Sequence, residues 1–382
     1  MNDLRGASAI VGAATAALGE APDRTDMEIL AEAAKSALDD AGLSLGQVDG
    51  LFATSMVHNM ATLSIAEYLG IRPRFSDSTM VGGSSSVAHL LPATLALQAG
   101  LCEVALVCYG SNQRSAAGRL VTNSAPPPYE AEYGPRYPIT AYALAASRHM
   151  YQYGTTREQL AEVAVAARGW AAMNPDAFMR DPLTVDQVLA SRLVSDPLRV
   201  RDCCLVTDGG GALVLVAGER AKDHPKRPVY LLGQGIASWH RNISQMPDLT
   251  VTAATESGAQ AYAMAGLGPA DMNVLELYDA FTINTIMFLE DLGFCTKGEG
   301  GAFVSGGAIG PGGRLPVNTN GGGLSCCHPG MYGMFPVIEG VRQLRGECGE
   351  RQVPSAATAL CHGNGGVFSS QATVVLGTEE TI

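Results

Sequence analysis

A glycine-rich turn that leads into a buried strand occurs twice in this chain. The first copy covers residues 208–216 and the second covers residues 365–376. Around each copy, short apolar runs alternate with amphipathic helical patterns, which is typical of α/β proteins. We interpret the repetition as an internal duplication that produced two similar α/β halves.

Breaks in this pattern predict the domain organisation. A polar segment at residues 222–228 separates the two halves, and a Pro-rich stretch near Ser124 opens a helical region of different character. Such a long region between two strands is best explained as an inserted loop domain. The predicted units are an N-terminal half over 1–123 and 199–221, an inserted loop domain over 124–198, and a C-terminal half over 229–382.

The composition narrows the possible partners and surroundings. A net charge of -12 argues against nonspecific binding to nucleic acid or to anionic membranes. No apolar run reaches the roughly 18 residues of a membrane span. The nine cysteines show no zinc-site spacing, so we expect reduced thiols and no bound metal. Residues 1–8 lack a signal-peptide pattern, and we expect a cytoplasmic protein.

The stretch over residues 318–334 carries the clearest chemical signal. A Gly run leads to His328-Pro329-Gly330, and an amphipathic segment follows. Glycines allow the backbone to approach a ligand closely, and a helix start favours an anionic or carbonyl group. We expect this stretch to hold one imidazole at the mouth of a binding site.

Four blocks together resemble the thiolase superfamily, and most closely its sterol-carrier-protein or lipid-transfer-type branch. They span residues 202–215, 278–281, 327–330 and 361–365, so that the resemblance covers essentially the whole chain. It implies an α/β fold with the five-layered αβαβα thiolase architecture, usually an obligate homodimer. It also implies coenzyme A thioesters as substrates, with no separately bound cofactor.

The block around Gly82 and Gly83 departs from the family pattern. Aligning residues 81–87 with the family's nucleophile block places Gly83 where the nucleophilic Cys belongs, or Gly82 if the register slips by one. A slip the other way brings Ser84, whose hydroxyl is far less nucleophilic than a thiolate. We therefore expect no covalent acyl-enzyme. We also expect the missing thiol to leave space for a bulky substrate.

The loss of the Cys leaves a noncovalent reaction as the first interpretation. Retro-aldol cleavage of a β-hydroxyacyl-CoA needs a base for the hydroxyl and donors for the enolate, but no nucleophile. Tyr278 stands where the branch has the His of His-Asp-Cys-Phe, and in this the chain is similar to thiolase-fold steroid side-chain aldolases. A Claisen-type thiolase or acetyl-CoA acyltransferase is one alternative, and a non-catalytic acyl-CoA-binding scaffold is another. The resemblance further implies a small zinc-ribbon/OB-fold partner protein.

The candidate site residues follow from the matched blocks. The resemblance implies that His328 is a base or oxyanion donor, Tyr278 an acid, base or enolate donor, and Asp279 an orienting partner. Cys361 stands where ordinary thiolases have the base for the α-proton, and His362 lies beside it. The residues expected to bind substrate are Gly82, Gly83, Ser84, Tyr332, Gly363 and Gly365.

Overall fold

The computed structural model of the protein describes residues 4–117 and 125–382. The predicted boundary between residues 123 and 124 lies outside the described residues, and the predicted domain limits remain predictions. The strands are β1 (Ser8–Gly19), β2 (Gly50–Ala53), β3 (Phe75–Asp77), β4 (Ala105–Ser111), β5 (Leu193–Ser195), β6 (Leu198–Arg199), β7 (Asp208–Ala217), β8 (Val229–Ser238), β9 (Val274–Leu277), β10 (Thr358–Gly365) and β11 (Ser370–Gly377). The helices are α1 (Asp26–Ala41), α2 (Ala61–Leu69), α3 (Ser85–Ala88), α4 (Leu90–Gln98), α5 (Gln113–Ala117), α6 (Pro128–Ala131), α7 (Ile139–Tyr153), α8 (Arg157–Ala172), α9 (Val185–Leu189), α10 (Ala254–Ala265), α11 (Thr282–Asp291), α12 (Gly300–Val304) and α13 (Met334–Arg345).

The strand pairing repeats between the two halves. Nine strands form one sheet in the order β3-β2-β4-β7-β1-β8-β11-β10-β9. In the first half β7 is antiparallel to both β1 and β4, and β4 is parallel to β2. In the second half β11 is antiparallel to both β8 and β10, and β10 is parallel to β9. The strands of the two Gly-rich copies are β7 and β11, so the predicted duplication is confirmed. The glycines at 209–211, which we predicted to form a turn before the first strand, lie inside β7.

Helices complete the layers on both sides of the strands. α1 packs on β1, β4 and β7, and α10 packs on β8 and β11. Between the halves, α13 contacts β9 and β10 on one side and β1 and β7 on the other. Ten of the twelve residues of α13 are buried, and its two buried polar side chains have partners: Glu339 accepts from Arg351, and Gln343 donates to Thr319. The arrangement agrees with the expected thiolase architecture.

Local signals in the sequence explain where the helices begin and end. The side chain of Thr25 accepts a hydrogen bond from the N–H of Glu28, which forms a capping box at the start of α1. Gly42 ends the same helix with φ of 69°, a left-handed conformation that glycine adopts without strain. Both limits are marked in the sequence itself, since Thr25 precedes and Gly42 follows the helical pattern. Within the described residues, no helix is long and apolar enough to cross a bilayer.

The segment between β4 and β7 folds over the site. It contributes α6 to α9 and the small β5–β6 hairpin, and α8 packs against α11 and against a π-helical turn at Gly322–Cys326. Arg168 on α8 donates a hydrogen bond from Nε to Ser325 Oγ at 2.9 Å, and Asn174 Nδ2 donates to Asn320 O at 2.9 Å. The insertion therefore holds the Gly run that precedes His328 in place.

Candidate active site

Two parallel strands bring the site residues to one edge of the sheet. Tyr278 directly follows β9, and Asn364 lies near the end of the parallel neighbour β10. The backbone N–H of Tyr278 donates to His362 O at 3.0 Å, which ties the two strand ends together. Ligands collect at the carboxyl ends of strands in α/β sheets. His328 reaches the same edge from the loop after the π-helical turn.

The structure brings Tyr278 and His328 together. Tyr278 Oη lies 3.1 Å from His328 Nε2 and accepts a hydrogen bond from the N–H of Tyr332 at 3.2 Å. The phenol oxygen accepts that bond, and its O–H donates to His328 Nε2 in the ring tautomer that carries its N–H on Nδ1. His328 Nδ1 is buried and has no hydrogen-bond partner among the described residues. The two side chains form a dyad with one ring nitrogen left for a ligand.

The ring of Tyr278 fills the volume that a side chain at Gly83 would need. A Cβ built on Gly83 would lie 2.3 Å from Tyr278 Oη and 2.4 Å from its Cε2, far closer than any stable contact. The space expected for a bulky substrate at this point does not exist, because the phenol occupies it. That expectation was wrong, because the phenol of Tyr278 fills the volume that the family's nucleophilic side chain would occupy.

Burial shifts the pKa of both members of the dyad. It lowers the pKa of His328 to about 4, so the imidazole is neutral near pH 7. It raises the pKa of the Tyr278 phenol well above its ordinary value. The resting dyad is therefore uncharged, which suits a proton relay rather than a permanent ion pair.

Asp279 is hydrogen-bonded to the backbone of the Gly run. Its carboxyl accepts hydrogen bonds from the N–H of Gly323 at 2.5 Å and of Leu324 at 3.4 Å. Burial raises the pKa of Asp279 to about 7, and the backbone donors act against that rise. Asp279 does not line the cavity that holds Tyr278 and His328. Its position fits the expected orienting role.

Cys361 and His362 lie away from this cavity. Cys361 is fully buried, and its thiol donates to Pro336 O at 3.4 Å. His362 uses both ring nitrogens on side chains of β11, with Nδ1 2.9 Å from Thr373 Oγ1 and Nε2 2.9 Å from Gln371 Oε1. Successive strand residues point to opposite faces: the Cys361 thiol packs against α13, and the His362 ring packs against β11 and Phe288. Neither side chain lines the cavity that holds the dyad. We assign neither of them a direct part in the chemistry.

The expected substrate-binding residues divide into two groups. Gly82 and Gly83 line the cavity. The remaining four support the surrounding structure. Gly363 and Gly365 allow β10 to approach the turn at Gly82–Ser84 closely. The hydroxyl of Ser84 donates to Val81 O at 3.2 Å, and the hydroxyl of Tyr332 donates to Asn320 Oδ1 at 3.0 Å. Tyr332 contacts the dyad through its backbone N–H and through its ring, whose centroid lies 5.6 Å from that of Tyr278 and 6.0 Å from that of His328.

Several residues that line the cavity of Tyr278 and His328 were not predicted from the sequence. The cavity has a volume of about 150 Å³ and adjoins a wider one of about 450 Å³, with which it shares Met56, Met80, Gly82 and Gly366. Asn364 could have been found, because an amide between glycines in residues 363–366 is an unusual choice for a buried strand end. Tyr142 comes from the insertion, whose fold no local pattern predicts. Further lining residues are Pro138, Cys204, Ala280, Phe281, Gly330 and Met331.

A third cavity, larger than both, shares the lining residue Cys204 with the first. Its volume is about 630 Å³, and its walls come from α8, α9, the residues that flank the β5–β6 hairpin, and the π-helical turn. Three guanidinium groups belong to Arg168, Arg192 and Arg201 of this wall. Burial, and then the nearby charge of Arg201, lower the pKa of Arg168. Cationic groups gathered around a cavity favour an anionic ligand.

Known proteins share this fold and sequence over nearly their full lengths. A family model described as "Thiolase C-terminal domain-like" matches residues 235–378. An acetyl-CoA acetyltransferase of Methanothermobacter thermautotrophicus is 33% identical over 95% of this chain and 97% of its own. The 17-hydroxy-3-oxo-4-pregnene-20-carboxyl-CoA lyase of Mycobacterium tuberculosis is 36% identical over 90% of this chain and 92% of its own. The solved Ltp2-ChsH2(DUF35) aldolase matches with a TM-score of 0.90 and 33% identity, covering 98% of this chain and 99% of that one.

These matches agree with the two duplicated halves and with the residues gathered at the strand ends. The chain belongs to the thiolase superfamily. Within it, the chain belongs to the sterol-carrier-protein-type branch that includes side-chain-cleaving aldolases.

Proposed function

We propose that this chain is a carbon–carbon lyase that cleaves a β-hydroxyacyl-CoA by a retro-aldol reaction. The observation that carries the proposal is the exchange at Gly83: the phenol of Tyr278 stands in the volume of the family's nucleophilic side chain and contacts His328. An enzyme with this arrangement keeps the thioester site and the proton-transfer groups but has no acyl acceptor. The names of its lyase relatives favour a steroid as the acyl group.

The reaction balances with the groups at hand. The β-hydroxyl proton passes to Tyr278 Oη while the phenol proton passes to His328 Nε2, so that the Cα–Cβ bond breaks and the Cβ–O becomes a carbonyl. The electron pair of the broken bond forms the thioester enolate. The proton held by His328 then returns to Cα, giving a ketone or aldehyde and a shortened acyl-CoA. The imidazolium carries its charge only while the enolate is present, which offsets the cost of charging a buried His.

The large cavity with Arg168, Arg192 and Arg201 is the proposed site for the coenzyme A phosphates. Guanidinium groups bind phosphate oxygens in bidentate geometry. Because this cavity meets the catalytic one at Cys204, a thioester arm that enters from the arginines would end beside Tyr278 and His328.

The Claisen alternative requires a thiolate at the site. Cys204 is the one thiol among the described lining residues, and burial raises its pKa well above the ordinary value. It comes from the segment before β7, not from the nucleophile block, so it does not replace the missing Cys. If the protein were a non-catalytic scaffold, the contact between Tyr278 and His328 would have no role.

Partners form part of the proposal. The aldolase neighbour with a TM-score of 0.90 is described as a complex with a DUF35 protein, which favours a small zinc-ribbon/OB-fold partner for this chain. We also propose a homodimer through the open edge of β3, argued below at the scale of the whole molecule. A cytoplasmic location remains a prediction.

The test uses the protein together with a co-expressed DUF35 partner. It is incubated either with a β-hydroxyacyl-CoA or with the matching β-ketoacyl-CoA plus free coenzyme A, and products are identified by mass spectrometry. We expect a carbonyl product and a shortened acyl-CoA from the first substrate, and no thiolysis of the second. Tyr278→Phe should lower kcat about 10²- to 10⁴-fold, the usual range for a positioned acid–base group.

Tyr262→Phe is the matched control. Tyr262 Oη donates to Leu292 O at 3.0 Å on the far side of the second half, so the same chemical change there should leave kcat unaltered. Thiolysis of the β-ketoacyl-CoA, or full activity in Tyr278→Phe, would contradict the proposal.

A further inference from the structure

A buried chain of side-chain hydrogen bonds ends at the wall of the catalytic cavity. Thr373 Oγ1 lies 2.9 Å from His362 Nδ1, and His362 Nε2 lies 2.9 Å from Gln371 Oε1. Gln371 Nε2 donates to Asn364 Oδ1 at 2.8 Å, and Asn364 Nδ2 donates to Tyr142 Oη at 2.7 Å. This series of hydrogen bonds thus links β10 and β11 to α7 of the insertion. The mechanism above uses none of these residues.

The direction of each bond in the chain is determined from its two ends. Tyr142 Oη lies 3.0 Å from Gly366 O, which can only accept, so the phenol donates there and accepts from Asn364. At the other end, burial lowers the pKa of His362 to about 4, so the neutral ring carries one N–H. With that N–H on Nε2, His362 donates to Gln371 and accepts from Thr373. Each hydrogen bond of this series then joins one donor to one acceptor.

This direction decides which end of the Asn364 amide faces the cavity. Gln371 holds Asn364 Oδ1, so Nδ2 is the atom turned toward Tyr142 and the cavity wall. One N–H of Nδ2 binds Tyr142, and the second has no recorded partner among the described residues. Asn364 is only 2% exposed, and a buried donor without an acceptor is unfavourable. A substrate oxygen in the cavity would supply that acceptor.

We infer that Asn364 binds the substrate by donating a hydrogen bond to one of its oxygens, and that Gln371 and His362 are positioning residues that keep the amide in the donating orientation. The identity of the substrate rests on the proposed function. The two oxygens near the reacting carbons are the β-hydroxyl and the thioester carbonyl, and both accept hydrogen bonds. A bond to either becomes stronger as negative charge develops on it.

Asn364→Asp tests the donor directly, because it keeps the shape of the side chain and removes both N–H groups. We expect kcat/KM for the β-hydroxyacyl-CoA to fall at least about tenfold, the effect of losing one hydrogen bond. Calorimetric titration with the saturated acyl-CoA, which lacks the β-hydroxyl, identifies the oxygen. Weaker binding assigns the bond to the thioester carbonyl, and unchanged binding with a reduced kcat/KM assigns it to the hydroxyl. An unchanged kcat/KM would overturn the inference.

Gln371→Glu tests the positioning role without touching the substrate. A carboxylate there still accepts from His362 but cannot donate to Asn364 Oδ1, so the Asn364 amide turns over and presents oxygen to the cavity. We expect a loss of kcat/KM similar to that of Asn364→Asp. The ionisable side chains hydrogen-bonded to this pair are His362 and Tyr142. Lowering the pH should therefore restore part of the activity as the introduced carboxyl gains its proton and becomes a donor.

Gln234→Glu is the matched control on the adjacent strand β8. Gln234 is buried and donates to Thr94 Oγ1 at 3.1 Å, outside the chain. We expect that variant to lose thermal stability while keeping its kcat/KM and pH profile. Equal losses of kcat/KM in both Gln variants would contradict the positioning role. If the wild-type protein cleaves no β-hydroxyacyl-CoA, the proposed function fails, and calorimetric titration of the wild-type protein and of Asn364→Asp with that intact β-hydroxyacyl-CoA still decides the inference: because this ligand carries both oxygens, unchanged binding then overturns it.

Discussion

At the scale of single residues, Gly83 and Tyr278 are two parts of one change. A Cβ at position 83 and the phenol at position 278 cannot occupy the same space. A Cys at position 83 would therefore clash with Tyr278, and a shorter residue at position 278 would leave a void beside Gly83. The chemistry of the site depends on both positions together, because they decide whether a thiol or a phenol faces His328.

Gly83→Ala should damage both stability and activity. The added methyl group would lie within 2.5 Å of the Tyr278 ring and must displace it from His328. Overpacking of a tight interior typically costs about 1–3 kcal/mol of unfolding free energy. We expect a loss in that range by urea unfolding, together with a loss of kcat like that of Tyr278→Phe.

The double variant Gly83→Ala with Tyr278→Ala provides the comparison. Since the second change removes the ring, the methyl group at position 83 should then cost little additional stability. A double-mutant cycle measures this coupling. Additive effects of the two substitutions would show that the predicted clash is absent.

At the scale of elements, the insertion forms most of the larger cavity. α8 supplies Ala164 and Arg168, α9 supplies Gln187, and the residues flanking the β5–β6 hairpin include Arg192 and Arg201. Arg168 on α8 and Asn174 just after it also fasten the Gly run of the second half to the insertion. One inserted segment therefore both shapes the proposed coenzyme site and supports the loop that carries His328.

Replacing Arg192 and Arg201 by Gln should selectively weaken the binding of coenzyme A thioesters. Both side chains are exposed at the cavity, so the fold should tolerate the changes. We expect KM for the acyl-CoA to rise about tenfold or more, with little change in kcat, since phosphate contacts act on substrate and transition state alike. The acyl-pantetheine, which lacks the nucleotide phosphates, serves as the control substrate. An equal rise in KM for both substrates would exclude a phosphate site here.

At the scale of the whole molecule, the two outer edges of the sheet differ. The outer edge of β9 is covered, because Leu275 donates to Pro316 O and accepts from the N–H of Asn318. The described residues provide no such bonds for the outer edge of β3 at Ser76. Large exposed apolar side chains flank β3 in the sequence, before it at Val57, Met60, Leu63 and Tyr68 and after it at Met80. Open edge strands beside apolar surface favour association with another chain.

We expect the protein to be a dimer that Met60→Asp with Leu63→Asp converts to a monomer. The two side chains are 75% and 64% exposed, so charges there should not disturb the folded subunit but should oppose burial in an interface. Sedimentation velocity measures the change in mass. Tyr151→Asp, at an 86% exposed position on α7, should leave the dimer intact. A monomeric wild-type protein would contradict the proposed interface.

The sequence by itself determined the duplicated α/β plan and the ends of α1, and it predicted Tyr278 and His328 as site residues. Those features follow from apolar periodicity, capping residues and motif blocks, which are local in the chain. Only the tertiary structure decided that Tyr278 fills the volume next to Gly83, and that Cys361 and His362 turn away from the cavity. It also decided that Asn364 and Tyr142 meet at its wall. These depend on side-chain direction and on contacts between residues far apart in sequence, such as 142 and 364, and no local pattern encodes them.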